Sequence, residues 1–365
     1  MVPGARWLTV AVVTVLVASA PLVTHVIPTR ETKVNALRLA EGIRDADELG
    51  WSGEVRAHGS LQVPLSGSTF GGVARLLGEQ SDLRVWWRDR DNWRVDRIRE
   101  TGESDLVRSG GLTIRWNYEE NRVSFAPYTP VRLPDDVDLV PSAVAARMLA
   151  GAQPRELSRL PSQRVAGHDA PGLRLVPADY RSTISRVDIW ADEASGLALK
   201  VEVYDEPAGA VPILRTELTS VEMERPATAE VNLRFAPGIE FPQGFSMDAA
   251  AGANAFAPFT PPSSLAGLDR RGRPEDFGAV GVYGRGPTAL LAVPLREYVA
   301  DGLRGQLRRS RNARDTGARV ALDVGPLSVL LSHHNGDDFL LAGTVTPATL
   351  ELAATDLAAG VVRSP

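Results

Sequence analysis

The chain has 365 residues, 44% of them hydrophobic and 23% charged, which suits a folded protein of two domains behind a short leader and argues against wholesale disorder. A formal net charge of −5 gives no reason to expect a nucleic-acid partner. The absence of cysteine excludes disulfides, thiolate metal sites, thiol nucleophiles and a lipid-modified cysteine.

The first element is an apolar run from Trp7 to Ile27, preceded by Arg6 and free of Asp, Glu, Lys and Arg. At about 1.5 Å per residue it spans roughly 30 Å, the thickness of a bilayer core. Residues 1–29 are therefore read as an uncleaved, single-pass signal anchor with the body of the chain extracytoplasmic. The competing reading is a secretory signal peptide cut after Ala18-Ser19-Ala20. Pro21 just beyond that cut, and apolar residues continuing through Val26 and Ile27, favour the anchor.

Glu31 to Leu49 reads as a helix, with Val34, Leu37, Ala40, Ile43 and Ala46 near helical spacing and Gly50 as the stop. From Trp51 the pattern changes to strands. Leu83, Val85 and Trp87 alternate with Arg84, Trp86 and Arg88, and Trp93 and Val95 alternate with Arg94 and Asp96 across an Asp89–Asn92 turn. Leu112, Ile114, Trp116 and Tyr118 follow in the same manner, and Glu119-Glu120-Asn121 turns the chain into Val123 and Phe125. Period-2 alternation with polar turns predicts an antiparallel meander with one buried face. A short helix at Pro141–Ala150 interrupts it. Strands are predicted again at Gly172–Val176, Ser185–Ala191, Ala198–Tyr204, Ile213–Val221 and Val231–Phe235. Residues 241–265, rich in Ala, Gly and Pro from Ala249 onward, read as a linker between a unit at 30–240 and a smaller α+β unit at 266–365. In that second unit strands are predicted at Gly278–Tyr283, Thr288–Val293, Val320–Val324, Leu327–Ser332 and Phe339–Val345, with helices at Leu295–Arg309 and from Pro347.

No catalytic constellation stands out. The chain has no G-x-S-x-G elbow and no phosphate loop ending in Gly-Lys-Ser/Thr, and Gly278, Gly281, Gly284 and Gly286 do not match the dinucleotide fingerprint. His333-His334-Asn335-Gly336-Asp337-Asp338 is the most metal-like stretch, but adjacent strand histidines point to opposite faces and Asn-Gly is a hairpin signal. The expectation is a non-enzymatic protein with no cofactor and no metal site. Arginines between Arg84 and Arg108 read as a solvated face, since Trp87 and Trp93 share the phase of Val85 and Val95. Arg304, Arg308 and Arg311 lie in a basic run that is either a solvated helix end or a docking point for an acidic partner or membrane surface.

Gly50-Trp51-Ser52-Gly53-Glu54-Val55 and Val165-Ala166-Gly167-His168-Asp169-Ala170 are similar to the entry into the first strand and the lead into a later one in the RseB/MucB family of envelope-stress regulators and the LolA-like proteins. Trp190-Ala191-Asp192-Glu193-Ala194-Ser195-Gly196-Leu197-Ala198-Leu199-Lys200 resembles their W-x-D-x-x-T-G-L-P-L-K/R hairpin, with Ser195 and Ala198 replacing threonine and proline. Phe241-Pro242-Gln243-Gly244-Phe245, the hairpin Val282–Leu291 with Arg285 in place of an aspartate, and the closing Leu341–Leu350 resemble the RseB carboxy-terminal domain, which a plain LolA carrier lacks.

The resemblance implies an α+β, mainly antiparallel β fold: a curved half-barrel sheet with helices on its concave side, plus a smaller α+β domain. It implies a regulator that binds a hydrophobic, lipid-like ligand and a partner membrane protein such as an anti-sigma factor. A LolA-like lipid carrier and a structural envelope module are the alternatives. Candidates for the ligand cavity are Val85, Trp87, Trp93, Val95, Ile114, Trp116, Val187 and Ile189, for which a packed core is the plainer reading. Arg304, Arg308 and Arg311 are the partner-binding candidates.

Overall fold

The computed structural model describes residues 29–363 apart from 101, 207–210, 236–238, 240, 242–243, 274–275 and 277. The predicted membrane anchor thus lies outside the described residues. Among the described residues no helix is long and apolar enough to cross a membrane.

The first helix, α1 (Ala36–Asp45), is shorter than predicted because Asn35 caps it, its Oδ1 accepting from the Arg38 backbone N–H at 2.8 Å. Strand β1 (Trp51–Gly59) follows, then a helix the alternation did not announce, α2 (Gly67–Gly78). A meander comes next: β2 (Gln80–Asp89), β3 (Asn92–Arg99), β4 (Gly102–Ser109), β5 (Leu112–Asn117) and β6 (Arg122–Pro127). Helix α3 (Pro141–Leu149) leads to β7 (Leu157–Val165), β8 (His168–Leu175), β9 (Arg186–Ala191), β10 (Ala198–Tyr204) and β11 (Leu214–Glu222). All eleven strands form one antiparallel sheet in the order β6-β5-β4-β3-β2-β1-β11-β10-β9-β8-β7. Strand β1 is the pivot between two meanders, and β6 and β7 do not pair, so the sheet is the open, unclosed one expected.

One face of this sheet carries the helices. Around β1–β4, Val55, Leu83, Val85, Trp93, Val95 and Leu106 pack against Val137, Leu139 and Val140. Around β8–β10, Leu173, Val187, Ile189 and Val201 pack against Leu39, Ala40 and Ile43 of α1 and Val144, Ala145 and Leu149 of α3. The seating of α1 depends on the β9–β10 hairpin. Gly196 in its turn has φ +77°, and a Cβ there would stand 2.2 Å from the Gly42 carbonyl oxygen of α1. The glycine of the hairpin motif is thus the point where helix and hairpin touch backbone to backbone.

Each sheet edge is met at one point by a neighbouring segment, which interrupts it as a template for aggregation. At β7, the Glu31 carboxylate accepts from Ser162 N at 2.9 Å and Ser162 Oγ at 3.0 Å, and Thr29 Oγ1 donates to Ser162 O. At β6, Phe245 forms a parallel bridge with Phe125, and Ser246 N donates to Phe125 O at 2.7 Å.

Val231–Phe235, predicted as a strand, is instead the end of a single helical turn, α4 (Thr228–Val231), and an irregular run after it. Within the predicted linker, α5 (Ala249–Phe256) forms because Asp248 caps it, Oδ1 accepting from Ala250 and Ala251 N–H groups at 2.8 Å. Short strands β12 (Phe259–Thr260), β13 (Ser264–Leu265) and β14 (Leu268–Asp269) precede the second sheet. That sheet comprises β15 (Gly281–Arg285), β16 (Thr288–Leu295), β17 (Arg314–Asp315), β18 (Arg319–Val324), β19 (Leu327–His334) and β20 (Asp337–Gly343), in the order β15-β16-β20-β19-β18-β17. The β19–β20 turn has Asn335 at φ +51° and Gly336 at φ +85°, as its Asn-Gly pair predicts. Helix α6 (Glu297–Arg308) covers one face through Ala300, Leu303 and Leu307, and α7 (Pro347–Gly360) the other through Leu350, Ala353 and Leu357; β21 (Val362–Arg363) closes back on β12. Phe70, on α2 of the first unit, is 6% exposed and packs inside the α6 core of the second.

Gly196→Ala is expected to lower stability by about 3 kcal/mol, combining left-handed strain with the clash against Gly42. Gly336→Ala, where a Cβ meets nothing within 4 Å, is expected to lower it by only about 1 kcal/mol. Urea midpoints of the two variants against wild type check the difference; equal losses would remove the role given to the helix–hairpin contact.

Candidate functional site

The sequence candidates divide between the two faces of the first sheet. Cross-strand partners share a face, and Trp87↔Trp93 and Val85↔Val95 lie on the helix-bearing side. So do Val187 and Ile189, whose neighbours Val203 and Val201 belong to the same core. Val85, Val95, Val187 and Ile189 are fully buried under the helices, and Trp87 stacks on Trp93 with ring centroids 5.8 Å apart. Ile114 and Trp116 are on the opposite face: Trp116 pairs with Asp105, and Asp105 with Asp96. Alternation fixes phase within a strand but not across a hairpin, and β5 has its polar alternate, Arg115, turned toward the helices. Arg115 pairs there with Asp135 and Asp136, Arg97 pairs with Asp136 at 3.2 Å, and Arg132 pairs with Asp138 at 2.6 Å. Burial alone would raise the Asp138 carboxyl, but the Arg147 and Arg132 charges overcome it and hold it down to about 2.

The expectation of a solvated arginine face fails for Arg97 and Arg108, which are 7% and 8% exposed. Arg97 meets the buried Asp136 carboxylate, whereas Arg108 lies under the Tyr128 ring and pairs with Asp91 at the exposed β2–β3 turn.

The outer face is partly covered at this end. Beyond β11, α4 and the described residues from 232 to 248 lie along β2, β3, β5 and β6 as a strap, with aromatic contacts to the sheet. Phe235 packs on Trp116 at 5.6 Å, Phe241 on Phe235 at 5.3 Å and on Phe125 at 6.2 Å, and Phe245 bridges to Phe125. At the near end, Arg225 donates to the Glu48 carbonyl at 3.1 Å and Arg88 to that of Pro226. Between strap and sheet lies a cavity of about 330 Å³, lined by Trp86, Arg94, Trp116 and Tyr118 below and by Glu230, Asn232 and Arg234 above. Trp116 and Tyr118 stack at 4.1 Å, and the Arg94 guanidinium lies 5.1 Å from the Trp86 ring.

Arg94 also reaches below the cavity floor, its Nε 2.6 Å from Asp96 Oδ1 and its Nη2 3.0 Å from Asp105 Oδ2. Asp96 and Asp105 are 1% and 0% exposed. Burial, and then the Asp96 charge beside it, pushes the Asp105 carboxyl up to about 7. Burial and the nearby Asp105 and Glu103 charges likewise push the Tyr118 phenol up to about 12.

Of the basic candidates, Arg304 is half-buried and held by Asp338 at 2.5 Å, and Arg308 is held by Asp315 at 2.6 Å. Arg311 is exposed. The strongest arginine contact between the units is one the sequence reading did not single out as a site. Arg285, at the β15–β16 turn, makes two 2.8 Å bonds to the Glu156 carboxylate and a third to the Gly151 carbonyl, all beside the end of α3. The Arg285 hydrogen bonds, outweighing desolvation and helped by the Ala178 and Gln153 N–H groups, hold the Glu156 carboxyl down to about 2. The closing stretch of the second unit is stitched to the first in the same way. Thr183 N donates to Thr344 O, Ser182 bridges Val345, and Thr346 N donates to Arg181 O at 2.9 Å.

No protein-family model matches the sequence, and no curated protein matches it. Solved structures do. The chain is similar to MucB, at 15% identity and a TM-score of 0.48, over 90% of this chain and 98% of that one. It is similar to the MucA/MucB complex of Pseudomonas aeruginosa, at 16% identity and a TM-score of 0.45, over 90% and 97%. A LolA superfamily protein from Nitrosomonas europaea is similar at 10% identity and a TM-score of 0.26, over 55% of this chain and 98% of that one.

The Asp105 arrangement predicts a pH effect of definite sign. Its carboxyl is raised in the folded state, so the stability contributed by its bound proton is complete below about pH 4 and is lost as pH rises through about 7. Urea midpoints of wild type relative to Asp105→Asn should therefore fall steadily between those limits. A flat difference would show that Asp105 titrates as an ordinary carboxylate.

Proposed function

We propose that this chain is a non-enzymatic, extracytoplasmic regulator of the RseB/MucB type. In this reading it is tethered by residues 1–29 and built from a domain at 30–240, a link at 241–265 and a second domain at 266–365. It binds a partner membrane protein such as an anti-sigma factor, and a lipid-like ligand on the helix-bearing face modulates that binding and so envelope-stress signalling. The observation that carries the reading is where the family-like stretches fall. The Val282–Leu291 hairpin and the closing Leu341–Leu350 both supply contacts that join the two units, through Arg285 in one and Thr344, Val345 and Thr346 in the other. The Trp190–Lys200 hairpin seats α1 over the apolar face.

Such a molecule needs no catalytic group; it needs two states with different affinity for ligand and partner. The face that would take an acyl chain is closed by α1 and α3, so ligand and helices compete for Val187, Ile189, Leu173 and Val201. MucB has been seen in complex with MucA(peri), and the proposal gives this chain a partner of the same kind. A membrane tether raises the effective concentration of a partner in the same membrane without any new contact. It also works against a freely diffusing carrier, the LolA-like alternative.

The test is a titration of the chain, in detergent micelles, with purified extracytoplasmic segments of the anti-sigma factors encoded in the same genome, followed by fluorescence anisotropy. The expected result is saturable binding of one segment that weakens when lipid is added. Absence of binding by every segment would overturn the regulatory reading.

A further inference from the structure

The acid cluster beneath the strap cavity asks for something the chain does not supply. Asp96 on β3 and Asp105 on β4 are direct cross-strand partners, and Glu103 lies two residues before Asp105, hence on the same face of the sheet. Like charges directly opposite on a sheet are destabilising unless compensated. One carboxylate oxygen from each of the three residues lies within 4.8 Å of the others. A single guanidinium, that of Arg94, is bonded to Asp96 and Asp105. With all four groups ionised, three negative charges and one positive leave a balance of −2.

Charge alone would not make this a site. The second observation is an atom. Asp105 is wholly buried, and while Oδ2 accepts from Arg94, Oδ1 has no hydrogen-bond partner among the described residues. A buried carboxylate oxygen without a donor is unfavourable by roughly 1–3 kcal/mol or more, so a bound ion or water is one physical reason for such an atom to persist.

We propose that Asp96, Glu103 and Asp105 bind a hard divalent cation of the calcium class. The donors are all carboxylate oxygens, which suit Ca²⁺, Mg²⁺ or Mn²⁺ rather than the softer metals that prefer nitrogen or sulfur. Arg94 keeps Asp96 Oδ1 and Asp105 Oδ2, and the ion takes Asp105 Oδ1 together with Asp96 and Glu103. Glu103 is half-buried while the two aspartates are closed off, so the ion enters on its side. The bound ion ties β3 to β4 and fixes the carboxylates that hold Arg94 against Trp86. The floor of the strap cavity is thereby made rigid by the bound ion. This inference is independent of the partner and lipid reading.

The test uses the chain stripped with EDTA at pH 8 and titrated with Ca²⁺, followed by tryptophan fluorescence, since Trp116 is the cross-strand partner of Asp105. Electron paramagnetic resonance with Mn²⁺ gives the stoichiometry. The expected result is one saturable site and a raised Tm, with Glu103→Gln weakening the affinity about tenfold or more. Asp105→Asn should abolish binding while the chain stays folded. Two results would overturn the proposal: no saturable binding up to about 10 mM, above the range of extracellular calcium modules, or binding that both variants leave unchanged.

Discussion

The Glu156–Arg285 pair is the contact on which the two-unit architecture turns. The Glu156 side chain is 1% exposed, and its carboxylate collects Arg285 from the second unit and the N–H groups of Gln153 and Ala178 from the first. Remove the arginine and a buried carboxylate is left with two neutral donors; breaking such pairs commonly lowers stability by about 3–5 kcal/mol. The same turn brings Gly286, at φ +50°, to where a Cβ would lie 2.6 Å from the Met148 carbonyl oxygen, so hairpin and α3 meet without room for a side chain. Phe70 and the Ser66–Gln306 hydrogen bond add a second point of attachment, and the 181–183 loop a third. Three separated attachments resist rotation in a way that one cannot.

The connection between the units is also structural. The described residues between β11 and α5 lie along the outer face of the first sheet, with Phe235 on Trp116 and Phe245 bridged to Phe125 at the β6 edge. Trp116, on which Phe235 packs, is also a wall of the cavity, and Arg94, another wall, is bonded to the acid cluster. A change at Asp96, Glu103 or Asp105 therefore reaches Arg94, then Trp86, then the strap, without passing through the apolar core on the other face. The helix-bearing face and the strap face are separate environments, sharing only the strands between them.

Much of this was legible in the sequence. Period-2 alternation located most of the strands because each has one face in a core, and Asn335-Gly336 and Gly196 announced their turns. Helix α2 was missed because its glycines, Gly71 and Gly72, dilute the apolar spacing that Phe70 and Leu76 would otherwise display. Ile114 and Trp116 were assigned to the wrong face because register across the β4–β5 hairpin is set by turn geometry, which alternation does not encode. The strap had a signal that could have been used. Phe235, Phe241 and Phe245 are large aromatics in a Pro- and Gly-rich segment, and such residues need a surface to pack on. The Asp96–Asp105 pairing had none, since it exists only once β3 and β4 are in register.

The most direct test of the account is calorimetric. Wild type and Arg285→Ala would be heated at pH 7, where Glu156 is ionised, and their unfolding endotherms compared. With the two units joined at Glu156, wild type should unfold in a single cooperative transition, and the variant should begin to unfold several degrees lower and resolve into two. A variant that keeps the wild-type transition, single and unshifted, would contradict the joint at the centre of the fold and the reading of function built on it.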